Sequence, residues 1–248
     1  MNLVERSYQV FAKYAIDSIK NACTTCCLLE DEVDQLVKGN VNEISWDLLR
    51  LYNDAAQEPE LDINEFKHFL PRYLEFISDF SFPSHSVELS LRNMASYEVS
   101  QWEPEEWELI NLFVEDFFKR CLQLRPIPKD SGDLVSILIM IDNAGISMSK
   151  FLNIWLEDDS LIGSIYFNDL IAYDFEWLSR TTVQNLFASE AQSATIYNWA
   201  TSSEVRKKFA QEIEGFVLND DLKIEENIIT EFNWLYEFIT NPSLSPSP

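Results

Sequence analysis

Glycine is scarce in this chain, with five residues in 248, at positions 39, 132, 145, 163 and 215. Little material is left for tight hairpin turns or phosphate-cradling loops, and helices joined by short connections are favoured. Histidine is scarcer still, with only His68 and His85. Cysteine is confined to Cys23, Cys26, Cys27 and Cys121. That is too few and too clustered for the disulfide framework of a secreted domain, so a reducing compartment is expected. No unbroken apolar run reaches the roughly 18 residues of a membrane span. The opening stretch MNLVERSYQVFAKYAIDSIKNA carries charge throughout and lacks the apolar core of a signal peptide, so the expected location is cytoplasmic.

Positive charge is also in deficit: 18 Lys and Arg face 42 Asp and Glu, a formal net charge of −24. Both halves of the chain share the excess. A field of that sign repels nucleic acid and anionic membrane, and it speeds encounter with basic proteins, metal cations or cationic ligands. It is also an ordinary route to solubility. Catalytic signatures are missing as well: no G-x-S-x-G, H-E-x-x-H, P-loop or G-x-G-x-x-G run occurs, and no catalytic residue can be nominated.

What is present is aromatic and apolar. Hydrophobic residues make up 46% of the chain, with 17 Phe, 9 Tyr and 7 Trp, enough for a large core without disulfide or metal. Apolar spacings of three and four predict an all-α protein, an antiparallel bundle or short helical solenoid of about 10–12 helices. Helices are expected over residues 3–22, 30–38, 45 to near 59, 62–79, 87–100, 104–124, 134–143, 147–157, 161–178, 183–199, 202–217 and 225–240. The RPIPKDSGD run at 125–133 is the natural seam between an N-terminal half, 1–124, and a C-terminal half, 134–240, packed together as one domain. Residues 241–248, rich in Pro and Ser, read as a disordered tail.

The clearest helix is 62–79, which aligns Ile63, Phe66, Phe69, Leu70, Tyr73, Leu74 and Ile77 on one face. Asp62 is its expected N-cap, with Glu65 completing a capping box. Glu65, His68, Arg72, Glu75 and Asp79 form the polar stripe, and Pro71 predicts a kink. On that stripe His68 reads as a structural or surface histidine and Arg72 as a tie between elements.

The CTTCC cluster, LVKGNVNEIS, DINEFKHFLPRYLEFI and SMSKFLNIWLEDDS together resemble a family of bacterial proteins of unassigned function. The run Phe66–Arg72 is the most specific part of the likeness. Where relatives show a proline inside the Cys cluster, this chain has Thr24 and Thr25. The resemblance implies an all-helical fold and brings no chemistry with it.

Two constellations remain. Cys23, Cys26 and Cys27 offer three soft ligands where zinc takes four, so a zinc site would need Cys121, His68 or His85 as well. The plainer reading is three partly buried thiols at a helix end. Acids interleaved with aromatics form two clusters, residues 98–116 with Trp102 and Trp107, and 142–179 with Trp155, Tyr173 and Trp177. Glu103, Glu105, Glu106, Glu157, Asp158, Asp159, Asp174 and Glu176 are the candidate partner-binding residues, with the aromatics as apolar anchors. The plainer reading puts the Trp residues in the core. The function expected is a non-enzymatic acidic module that binds a basic protein, most concretely an immunity-type inhibitor of a basic toxin domain. The alternatives are a metal-dependent hydrolase with carboxylates gathered in a helical bundle, and a zinc-stabilised scaffold.

Overall fold

The structure, a computed structural model, describes residues 2–130, 132–175, 183–219 and 223–241, without the side chains of Asp130 and Asp174. Among these residues the fold is all-helical, with bundle-like packing between helices and no strand, only isolated bridges at Ala22–Gln57 and Phe175–Val183. The chain forms two compact units, Met1–Phe118 with Pro126–Ile146, and Lys119–Arg125 with Ser147–Pro248. The expected tail falls, beyond Asn241, outside the described residues, as does Trp177.

The first unit contains α1 (Leu3–Phe11), α2 (Glu30–Lys38), α3 (Trp46–Asp54), α4 (Ile63–Ser78), most of α5 (Pro104–Cys121) and α6 (Leu134–Asn143). Its centre is α4, where Phe66, Phe69, Leu70, Tyr73, Leu74 and Ile77 are each at most 1% exposed. Burying side chains of this size stabilises by roughly 1.5–3 kcal/mol apiece, which fixes α4 as an interior element. The helix runs from Ile63 to Ser78 with Pro71 buried inside it. At its end Phe80 takes a left-handed φ of 54° while Phe80 N–H donates to the Ile77 carbonyl and Ser81 N–H to that of Phe76. This double return is the Schellman closure usually given to glycine. The ring of Phe80, 5.3 Å from that of Phe117, holds the strained residue in place. Helix α6 is apolar on every side, and Leu134 through Ile141 are all buried, as an all-round hydrophobic helix must be.

Several expected helices are cut: 183–199 begins only at Glu190, 45 to near 59 ends at Asp54, and two others lose more. Of these two, the first helix of the chain ends at Phe11 rather than continuing to residue 22, and 87–100 becomes three short 3₁₀ turns, Val87–Leu89, Arg92–Ser96 and Val99–Gln101. In the first case α4 supplies partners that compete with helix continuation. The Tyr14 carbonyl accepts from His68 Nδ1–H at 2.8 Å, and the Glu65 carboxylate accepts from the backbone N–H of Lys20 and Asn21 at 2.5 and 3.0 Å. Because a carbonyl can only accept, His68 carries its proton on Nδ1.

Glu65 therefore does not close a capping box. Asp62 caps α4 by accepting from Asn64 N–H, but its own N–H goes to Asn21 Oδ1 at 2.6 Å. Glu65 instead points inward, 1% exposed, and also accepts from the Tyr52 hydroxyl at 2.7 Å. Burial pushes its carboxyl above the usual range, against the pull of Tyr52 and the two amides. Arg72 does tie elements together: Nε donates to the Ile44 carbonyl at 2.8 Å, Nη1 to Glu75, and the guanidinium lies 4.1 Å from the Phe76 ring.

The second unit contains α7 (Ser149–Leu156), α8 (Leu161–Asp169) followed by a π turn (Leu170–Asp174), α9 (Glu190–Thr201), α10 (Ser203–Val217) and α11 (Glu226–Thr240). Helix α10 packs against α8, α9 and α11. Phe209 stacks on Phe167 at 3.9 Å, Trp199 lies 5.0 Å from Trp155, and Trp155 Nε1–H donates to the Gly163 carbonyl.

Glu65→Ala is expected to cost about 3 kcal/mol or more, because it strands two backbone amides and the Tyr52 hydroxyl in the interior. Denaturant unfolding of the variant beside Tyr52→Phe measures this. The smaller loss belongs to Tyr52→Phe, which removes only one of the three donors.

Candidate functional site

The thiol cluster lies in the irregular segment between α1 and α2. Sγ of Cys23 is 3.1 Å from Sγ of Cys26, which is 3.6 Å from Sγ of Cys27, and the three sulfurs all fall within 4.8 Å of one another. Cys26 is exposed and its neighbours are half-buried. Sharing a hydrogen bond with Cys26, helped by the amides of Cys26 and Thr25, lowers the Cys23 thiol below its ordinary value, while Cys26 is pushed up to about 12 by its two thiol neighbours. Such a grouping can hold a metal ion, and it is the only set of three His, Cys, Asp or Glu ligands that converges among the described residues. The expected fourth ligands do not join it. His68 bonds Tyr14, and His85 Nδ1 lies 3.2 Å from Asp54. Cys121 is fully buried on α5, where desolvation pushes its thiol up to about 12.

The acidic candidates separate by environment. Glu103 and Glu105, at the start of α5, are exposed but paired: Lys13 reaches Glu103 at 2.5 Å and Arg6 reaches Glu105 at 3.2 Å. Glu106, expected to face outward, is 0% exposed and belongs to the core. It accepts from Lys67 Nζ at 2.7 Å, the Tyr14 hydroxyl at 2.5 Å, Lys13 Nζ at 3.1 Å and Glu103 N–H at 3.0 Å. Lys67 is 2% exposed, donates also to the Gln101 carbonyl, and lies 5.0 and 5.1 Å from the Tyr14 and Trp102 rings. Burial raises the Glu106 carboxyl, but the bonds from Lys67, Tyr14, Glu103 and Lys13 outweigh it and hold the group below its ordinary value of 4.5.

In the second unit Glu157 and Asp159 are exposed. Asp158 is half-buried, accepting from the Ser160 hydroxyl, while its backbone carbonyl accepts from Lys208. Asp174 is placed only by its backbone and Glu176 lies outside the described residues. The aromatic anchors also separate. Trp102 and Trp155 are buried, Trp107 is half-buried and Tyr173 is 63% exposed, so the first two belong to the core rather than an interface.

Sequence reasoning missed Lys67 and Tyr14. The signal for Lys67 was available: it stands three and seven residues before Leu70 and Leu74, in register with the buried face. No family model matches the chain, nor does any curated protein or solved structure. The likeness to a bacterial family therefore rests on its motifs alone.

Removing one member of the buried pair strands the other. Lys67→Met is expected to cost about 3–5 kcal/mol, whereas Lys67→Met with Glu106→Leu recovers most of that loss. Because the folded-state Glu106 carboxyl titrates below its ordinary value, its stabilisation is full above that value and lost as pH falls through the depressed one. The stability gap between wild type and Glu106→Gln should therefore hold at neutral pH and close as pH falls below the ordinary glutamate value and through the depressed one, as read by urea unfolding across pH.

Proposed function

We propose that this chain is a non-enzymatic binding module for a cationic protein, of the kind that would mask a basic toxin domain. The observation that carries the reading is how its charge is distributed. Arg6, Lys13, Lys20, Lys38, Lys67, Arg72, Arg125, Lys129 and Lys208 are all in ion pairs with acids of the chain itself. With 42 acids to 18 bases, those pairings leave a large uncompensated negative surplus. Exposed members of it include Glu98 and Glu108 beside the start of α5, Glu30 and Asp31 at the start of α2, and Glu157 and Asp159. Such a surface supplies association rate and partner choice more than affinity, since exposed pairs contribute about 1 kcal/mol or less each. The cysteine loop, whose plainer reading from the sequence is three partly buried thiols rather than a zinc site, is separate from this acidic surface.

Association with a panel of small basic proteins, followed by surface plasmon resonance, tests the reading. Expected is binding at about 20 mM salt that weakens steeply towards about 300 mM, as screening shortens the reach of the acids. Glu98→Lys with Glu108→Lys should lower the association rate by about tenfold. Indifference to every basic protein at low salt overturns the proposal, and so does binding that ignores salt.

A further inference from the structure

Independently of partner capture, we propose that Cys23, Cys26 and Cys27 form a three-thiolate site for one soft d¹⁰ divalent cation, with zinc as the ion of first choice and the fourth coordination position open to solvent.

The distances permit it with small adjustment. Zn–S bonds of about 2.3 Å at tetrahedral angles place sulfurs about 3.8 Å apart. The observed separations of 3.1 and 3.6 Å lie somewhat below that value, and all three atoms fall within 4.8 Å of one another. A disulfide between Cys23 and Cys26 would need the sulfurs to close to about 2.05 Å and an oxidant to remove two electrons.

The loop is also held in place before any ion arrives. Cys23 N–H donates to the Ala56 carbonyl at 2.8 Å, Glu58 N–H to that of Asn21 at 3.2 Å, and Ala22 bridges Gln57. Asn21 is anchored again through its side chain, which donates to the Asp62 carbonyl and the Tyr97 hydroxyl. On the other side Leu28 is buried and α2 begins two residues later. Fixing both ends lowers the ordering cost that a flexible loop would meet on binding. Thiolate ligands select soft ions over magnesium or calcium, and the acids Glu30, Asp31 and Glu32 that follow add a field attractive to any cation. Binding replaces three S–H bonds by three S–metal bonds and releases three protons; nothing is oxidised.

The open fourth position follows from the ligand count. Neither histidine converges with the three sulfurs among the described residues, and exposed Cys26 leaves one side of the cluster to water. A closed structural site takes four protein ligands; three with an open position leave the ion exchangeable.

The test uses the full chain, reduced and stripped with chelator, titrated with zinc against a chromogenic competitor, and separately with cobalt(II) to read sulfur-to-metal charge transfer. Expected is one ion per chain, with affinity lowered by more than about tenfold in each of Cys23→Ser, Cys26→Ser and Cys27→Ser and unchanged in Cys121→Ala. Circular dichroism checks that each variant keeps its helices; should a half-buried position fail to fold, exposed Cys26→Ser carries the comparison. The proposal is overturned by absence of stoichiometric zinc in the reduced protein, by zinc binding that survives all three substitutions, or by cobalt spectra without thiolate bands. None of these outcomes bears on binding of basic proteins.

Discussion

Helix α4 carries two opposite charges, Glu65 and Lys67, into the interior within three consecutive residues, and the first unit is arranged to answer both. An uncompensated ion in such a place costs several kcal/mol, more than any single apolar contact returns. Glu106 from α5 answers Lys67, with Tyr14 and the Gln101 carbonyl filling the remaining positions around the ammonium. Two backbone amides and the Tyr52 hydroxyl answer Glu65. The apolar face of α4 would tolerate sliding against its neighbours, since hydrophobic attraction has no direction. The charges supply that direction, and so set the register of α5 and of the segment leaving α1.

That requirement explains where sequence reading succeeded and where it did not. Helices α2, α4, α6, α10 and α11 follow from apolar spacing and local capping, which are properties of neighbouring residues; Ser45 accepting from Leu48 N–H at the start of α3 is one such cap. Residues 12–22 keep a helical pattern in Ala15, Ile16 and Ile19, yet their backbone is claimed by side chains 40 or more positions away, which no local pattern reports. Glu106 illustrates the same limit. Glu103, Glu105 and Glu106 look alike in sequence, and only the approach of Lys67 decides that the third is interior. Lys67 stands in core register, a signal that the sequence reading passed over, and a buried ammonium there calls for an acid as partner.

The cysteine loop was legible for a different reason. Ligands three and four positions apart meet through local backbone turns, so convergence needs little help from tertiary structure. The closure of the set depends on distant residues, and among the described residues no fourth His, Cys, Asp or Glu converges with the three sulfurs.

The anchoring of the Cys loop also divides the segment between α1 and α2 into two stretches that should differ in what sequence change they accept. Lys13 and Tyr14 are held by Glu106, Lys67 and His68, but from Ala15 to Ser18 most side chains face water, and an inserted residue there would only lengthen a surface excursion. From Lys20 to Cys23 the backbone is spliced into the interior through Glu65, Asp62 and Ala56, so an insertion there would displace the sulfurs and unseat Tyr52 and Tyr97 together. Length variation among descendants of this chain should accordingly collect between Ala15 and Ser18 and be absent from Lys20 to Cys23.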